Sequence, residues 1–216
     1  MNEYEKKEVL YFSNTRTEIK TLLPTFSESV LEVGCGNGAT LKWLKESNLC
    51  KTTSAIELVE NMAKEAKKTV DYVLVGDCEK IVLELTPNSY DLILCLDVLE
   101  HMIDPWTFIE NVQKLLKPGG YIISSIPNIR NANVLVKLIF KKTFKYEDHG
   151  LLDKTHLRFF TKISAQELMR IDLLDIEKSI SNPIPLVSKA GIFNLLTFGI
   201  FKELLTTQFL IKSIKK

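Results

Sequence analysis

Along the chain, short and nearly continuous apolar runs alternate with stretches whose apolar residues recur every three or four positions. Ser29–Val33 reads as a buried strand and Ala39–Glu46 as the helix after it. A strand over Thr52–Glu57, a charged helix over Glu60–Lys68, and strands over Tyr72–Val75 and Tyr90–Leu96 continue the alternation. Asp104 and Pro105 then open a helix as N-cap and first-turn proline. Phe108, Ile109, Val112, Leu115 and Leu116 fall on one face of it. Lys117-Pro118-Gly119-Gly120 is expected to stop that helix ahead of a fifth strand, Tyr121–Ile126. Apolar strands alternating with amphipathic helices predict a parallel sheet with helices on both faces.

After Pro127 the rhythm changes. Residues 127–162 are rich in Asn, Lys, His and aromatics and are too long for an ordinary connection, and such connections are usually functional. Helix signals return at Ser164–Arg170, and a strand follows over Leu173–Ser181. A proline-containing, helical-looking stretch leads to a last strand, Thr207–Ile214, and the two final strands suit an antiparallel edge pair.

With 216 residues the chain has length for one well-buried α/β domain and too little for two. Lys and Arg total 28 against 27 Asp and Glu, which gives no electrostatic case for a nucleic-acid partner. Cys35, Cys50, Cys78 and Cys95 are scattered, as reduced thiols of a cytoplasmic protein would be. The charged N-terminus lacks an apolar signal core. Ala190–Ile211, broken by Lys202, Glu203 and two glycines, makes a poor membrane span.

Ligands of open parallel sheets sit beyond the carboxyl ends of the strands, where the strand order reverses. The informative residues are therefore Gly34 to Gly38, Glu57, Asp77, and Asp97 to His101. The stretch "LEVGCGNGAT", residues 31–40, sets glycine at every second position where strand gives way to helix. Ordering glycine costs entropy, so the string marks a sharp bend and a close approach. Gly34-x-Gly36-x-x-Ala39 also satisfies the dinucleotide pattern, and Glu57 suits a ribose in either reading. A nicotinamide-dependent oxidoreductase, however, generally needs a further substrate domain. Glu32, Glu57, Asp77 and Asp97 around one crevice also suit a cationic ligand better than a pyrophosphate.

His101, just beyond the fourth strand, is placed to take a proton from a hydroxyl at neutral pH, or to act as a hydrogen-bonding core residue. His149 and His156 compete for the base role from the insertion. Lys137, Lys141, Lys142 and Lys145 stand among Leu138, Phe140 and Phe144, as a solvated helix face or as contacts for a phosphate-bearing acceptor. Asp153, His156 and Arg158 read as a polar pocket wall or as a network holding the insertion closed. Tyr11 and Arg16 are placed either to close over the ligand or to lie on the surface. The spacings contain no metal-ligand cluster, and no metal is expected.

The segments "VLEVGCGNG", "AIE", "VGDCE", "YDLILCLDVLEHMIDP" and "LLKPGGYIISSIPN", in that order, resemble the successive motifs of class I S-adenosylmethionine-dependent methyltransferases. "YEDHGLLDKTHLRFFT" is similar to a bacterial subgroup linked to sugar or polysaccharide biosynthesis. The resemblance implies a Rossmann-like, seven-stranded, mostly parallel sheet whose last strand is antiparallel. It implies S-adenosylmethionine as cofactor and O-methylation of a small molecule or glycan, with a non-catalytic S-adenosylmethionine-binding protein as the alternative outside enzymes. Gly34, Gly36 and Gly38 would pass under the cofactor, Glu57 would bind the ribose hydroxyls, and Asp77 the adenine amino group beside the Cys78 amide. Asp97 would meet the methionine amino group or cap the following turn. Glu32, Cys35, Leu58 and Leu96 complete the expected cofactor site, and Asn128, His149, Asp153, His156 and Arg158 the acceptor side. One domain over 1–216 follows, with cofactor-covering helices in 1–28 and an acceptor-binding insertion at 127–162. The chain departs from the family pattern at "RIDLLDIE", which lacks the glycine usual before the sixth strand.

Overall fold

Valine, leucine and isoleucine occupy both faces of the central strands, which must therefore be covered on both sides. The computed structural model describes residues 14–185 and 187–216. Its strands are β1 (Ser27–Val33), β2 (Cys50–Glu57), β3 (Tyr72–Val75), β4 (Tyr90–Leu96), β5 (Leu116–Pro127), β6 (Leu174–Ser181) and β7 (Gln208–Lys215). They form one sheet in the order β3-β2-β1-β4-β5-β7-β6. Strands β1 to β5 pair in parallel, while β7 is antiparallel to both neighbours, β5 and β6. The expected edge pair is thus present, with the last strand inserted between β5 and β6.

Helices α1 (Ala39–Glu46), α2 (Glu60–Ala66), α3 (Cys78–Ile81) and α4 (Pro105–Leu115) follow the first four strands. Later come α5 (Ala132–Ile139), α6 (Lys162–Leu168), α7 (Lys189–Leu196) and α8 (Lys202–Leu205). Alternate residues of β1 and β4 enter opposite cores, as strand geometry requires. Leu31, Val33, Ile93 and Cys95 meet Phe108, Ile109 and Val112 of α4. Val30, Leu92 and Leu94 meet Leu41 and Leu44 of α1. Asp104 caps α4 by accepting a hydrogen bond from the Thr107 amide.

The fold corrects several boundaries. The helix expected to reach Lys68 ends at Ala66, because the amides of Thr69 and Val70 both turn back to the Ala66 carbonyl. The Lys117–Gly120 stretch does stop α4, but β5 already begins at Leu116 and carries the two glycines inside it. A register shift between Tyr90 and Leu92 absorbs them. A Cβ on Gly120 would stand 2.9 Å from the Lys117 carbonyl oxygen and 3.1 Å from that of Asp91, so only glycine fits this close crossing. The turn before β6 needs no glycine: it closes with a 2.7 Å bond from the Leu174 amide to the Ile171 carbonyl, without positive φ. Of the segment 1–28, Tyr11 and its neighbours up to residue 13 lie outside the described residues, and the rest contains a 3₁₀ turn at Thr17–Thr21. Among the described residues no helix is long and apolar enough to cross a membrane.

Chain order runs outward from β1 to β3 and returns to β4 on the other side of β1. The strand order therefore reverses between β1 and β4, so the loops after these two strands flank a crevice. The first loop depends on Gly38, which has φ +79° and would put a Cβ 2.8 Å from Val70 Cγ2 and 3.3 Å from Ala66 Cα. Left-handed backbone costs a non-glycine residue about 1–3 kcal/mol before any clash. Gly38→Ala is therefore expected to lower stability by at least that amount, read as a lower urea midpoint with an unchanged slope.

Candidate cofactor cavity

The crevice between the β1 and β4 loops opens into a cavity of about 800 Å³. Its floor is the glycine loop. Gly34 and Gly36 have φ of +70° and +56°, and a Cβ on Gly34 would stand 3.0 Å from Val98 Cγ2. Glu57, at the end of β2, is buried and holds this loop in place. Its Oε2 accepts the Gly36 amide at 2.8 Å, and its Oε1 accepts the Val59 amide at 2.8 Å. Burial pushes its carboxyl up, while the Val59, Gly36 and Leu58 amides pull it back. Each oxygen keeps a further lone pair, enough to receive two hydroxyls.

Glu32 on β1 lies beneath the same cavity. Burial raises its carboxyl to about 8 despite Arg16 and the Thr40 hydroxyl, and its Oε2 has no hydrogen-bond partner. An orphaned, buried carboxyl oxygen at a cavity floor calls for a hydrogen-bond donor, which an ammonium supplies and a phosphate does not. Opposite it, Asp97 has φ +56°, an uncommon backbone for a non-glycine residue. Three side chains hold it: Arg16 pairs with Oδ2, while Ser125 Oγ and Gln208 Nε2 donate to Oδ1 at 2.8 and 2.7 Å. These bonds, rather than a cap on the next turn, occupy the Asp97 carboxylate. At the far end, Asp77 caps α3 through the Glu79 amide, and the Cys78 thiol is raised to about 12 by burial and then by the charges of Asp77 and Glu79. Cys78 is thus a neutral lining group, as is Cys35, whose thiol burial pushes up.

Thus Glu32, Gly34, Cys35, Gly36, Glu57 and Leu58 all face the cavity, and so do Asp77, Cys78, Leu96, Asp97 and His101. Gly38 sits outside it, packed on Val70 and Ala66. Thr40, Val98 and Gln208 also line it. Sequence patterns did not single out Gln208, which reaches Asp97 only because β7 pairs with β5.

His101 ends a 3₁₀ turn over Leu99–His101, too short for periodicity to reveal. Its Nδ1 lies 3.0 Å from the Thr155 carbonyl oxygen, which can only accept. In the neutral ring Nδ1 therefore carries the proton and Nε2 the lone pair. Neighbouring His156 is buried edge-on to His101, with ring centroids 4.7 Å apart and its Nε2 3.9 Å from Glu100 Oε1. Glu100 is 1% exposed, and neither carboxylate oxygen accepts a hydrogen bond. Burial, then the Asp97 charge, push its carboxyl well up. Glu100, His101 and His156 bring one donor atom each within 4.8 Å of one another, a grouping of metal-ligand types that spacing did not reveal.

The other acceptor-side residues do not face the cavity. Asn128 is buried, its amide donating to the Glu203 and Thr206 carbonyls. Asp153 accepts from the amide and hydroxyl of Thr155, and so fixes the carbonyl that His101 uses. Arg158 donates to the Ile103 carbonyl and stacks over Trp106. His149 is exposed in the insertion.

Comparison with known proteins agrees with this geometry. Residues 31–124 match the family described as "Methyltransferase domain". The match covers 94 of the chain's 216 residues, from β1 into β5, and includes the glycine loop, Glu57, Asp77 and Asp97. That family and this fold imply S-adenosylmethionine as the cofactor. A ubiquinone biosynthesis O-methyltransferase of Thiobacillus denitrificans is 33% identical over 121 residues, 53% of this chain and 50% of that one. Its namesake from Xanthomonas euvesicatoria is 32% identical over 148 residues, 60% of this chain and 59% of that one. The chain thus spans about half the length of the curated relatives it matches. An S-adenosylmethionine-dependent methyltransferase of Mesorhizobium loti superposes with a TM-score of 0.65 at 17% identity, over 91% of this chain and 95% of that one. One from Archaeoglobus fulgidus gives 0.64 at 17%, over 99% and 97%. At this identity the two structures attest the fold alone.

The buried Glu32 carboxyl links stability to pH. Its folded pKa, about 8, lies above its ordinary 4.5. Its contribution is therefore fully present below 4.5 and is lost as pH climbs through 8, since ionisation favours the unfolded chain. Glu32→Gln is expected to leave stability unchanged in acid and to raise it by up to a few kcal/mol near the upper end of that window, about 1.36 kcal/mol for each pH unit separating the folded from the unfolded value. Urea denaturation of parent and variant across the window reads the difference.

Proposed function

We propose that the chain methylates a hydroxyl oxygen of a small molecule, with S-adenosylmethionine as donor and the whole chain acting as one unit. The single observation that supports this most is one cavity holding Glu57 on the glycine loop, the orphaned Glu32 oxygen, and the His101 imidazole. Once bound, the cofactor contributes an already activated methyl group on its sulfonium. The residues then have separable tasks. Glu57 offers its free lone pairs to the ribose hydroxyls. Asp97 draws the ammonium of the methionine end, the unpartnered Glu32 oxygen accepts one of its protons, and Arg16 beside Asp97 faces its carboxylate. Asp77 and Cys78 bound the adenine end.

His101 presents Nε2 as the base, with Thr155 fixing the ring through Nδ1. It would take the hydroxyl proton onto Nε2 while the oxygen received the methyl group that the sulfonium supplies, the sulfur leaving as the neutral thioether. Positioning two reactants in this way is worth about 7–11 kcal/mol, and a general base adds about 10²–10⁴-fold. The insertion at 127–162 supports the acceptor side indirectly, by holding His101 from behind through Thr155, Asp153 and His156. Relatives named for ubiquinone biosynthesis favour a quinone-pathway type of acceptor. The resemblance of "YEDHGLLDKTHLRFFT" favours a saccharide.

Calorimetry with S-adenosylhomocysteine should show micromolar binding, with NAD far weaker. Glu57→Ala should weaken that binding tenfold or more, since hydrogen bonds to a charged group are worth about 1.5–3 kcal/mol each. Unchanged affinity in a folded variant would remove Glu57 from the site.

Transfer of labelled methyl across a panel of phenols, quinols, sugars and nucleotide sugars identifies the acceptor. With that acceptor, His101→Ala should leave cofactor affinity near the parent value and lower turnover by about 10²-fold or more. The acid limb of the pH profile should disappear with it. A variant that keeps both rate and profile would exclude His101 as the base.

A further inference from the structure

The excursion between β6 and β7, residues 182–207, exposes an unusual amount of apolar side chain. Val187, Leu195, Leu196, Phe198 and Ile200 are between 70% and 94% exposed within fifteen residues. Single exposed apolar residues are ordinary, but a contiguous group of this size marks an interaction surface. The excursion does not hang free. Thr206 bonds back to Asn128 and Asn131, and Glu203 pairs with Arg130, so α8 is stitched to the start of α5. Helix α5 continues the theme, with Ile139 60% and Phe140 77% exposed.

Charge selects the occupant. Residues 132–146 and the excursion, 182–207, together carry six lysines and a single acid, Glu203, which pairs with Arg130. The whole chain nets only +1, so the remainder is acidic by four. A second copy meeting this face through a two-fold axis would set lysines against lysines. An anionic bilayer instead takes both the apolar side chains and the lysines around them, and lysine stems reach past an apolar body into the headgroups. No described helix is long enough to cross, so the face lies on the surface rather than through it.

We propose that the α7–α8 excursion, with the tip of α5 beside it, docks the protein on an anionic membrane surface. Gln208, the first residue of β7, ends the excursion and lines the cofactor cavity, so docking brings the cavity close to the lipid plane. The proposal does not depend on the identity of the acceptor or on turnover.

Vesicle co-sedimentation tests it, with the full chain and two lipid compositions: phosphatidylcholine alone, and phosphatidylcholine mixed with phosphatidylglycerol. Binding at least tenfold stronger to the mixed vesicles, falling as sodium chloride is raised, is the expected result. A triple variant, Leu196→Ser with Phe198→Asn and Ile200→Ser, should lose that binding tenfold or more. Asparagine is chosen because Phe198 has φ +52°, which asparagine tolerates. All three side chains are exposed, so the thermal midpoint and S-adenosylhomocysteine affinity should stay at parent values. Lys189→Glu with Lys202→Glu should weaken mixed-vesicle binding and leave phosphatidylcholine binding unchanged. Equal sedimentation with both compositions would overturn the proposal. So would a dimer, seen by light scattering, that the triple variant dissociates.

Discussion

The site rests on one buried carboxylate. Glu57 spends one oxygen on the Gly36 amide and the other on the Val59 amide. The first bond ties the loop after β1 to the end of β2, and the second aims the chain into α2. Removing a charged oxygen from water is costly unless donors replace the water, and the two amides do so. In return the glycine loop is held in a left-handed path that glycine alone adopts cheaply. Through that path β1 hands over to α1 at the crevice rather than across it, and every other lining residue is placed relative to it.

A second constraint acts across the crevice. Asp97 sits in left-handed backbone without being glycine. Donors from three distant places hold it: Arg16 ahead of β1, Ser125 on β5 and Gln208 on β7. Strain of this kind persists only where the surroundings over-determine it, and it concentrates at binding sites. The same network brings the antiparallel last strand into the cavity wall, which gives that strand a part in the site as well as in the sheet. Behind His101 a further layer repeats the arrangement. Asp153 fixes Thr155, Thr155 fixes the His101 tautomer, and His156 packs against the ring beside the buried Glu100.

Local pattern carried the elements far. Tyr72–Val75, Tyr90–Leu96 and Ala39–Glu46 agree to the residue with the periodicity reading. Each is bounded by glycine, proline or polar residues that halt pairing or winding nearby. Most of the cofactor-side residues lie directly after strands, so their convergence at one crevice was legible once the sheet was taken as parallel. Short elements such as α3 and the turn over Leu99–His101 were not, since four or three residues complete no apolar period. The early start of β5 was also hidden, because a register shift depends on the partner strand.

By itself, then, the amino-acid sequence determined the alternation of strands and helices, the glycine loop, and the acids at the strand ends. Hydrophobic period and backbone sterics act over a few residues, and each of these features is encoded within such a span. Tertiary structure alone decided that Gln208 reaches Asp97 across 111 positions, and that His156 lies against His101 beside a Glu100 whose oxygens accept no hydrogen bond. It also decided that Asn128 and Arg158 hold backbone carbonyls, and that the 187–201 stretch stays outside the core. Those outcomes depend on which surfaces the sheet order has already covered, a quantity summed over the whole chain and absent from any single stretch of it.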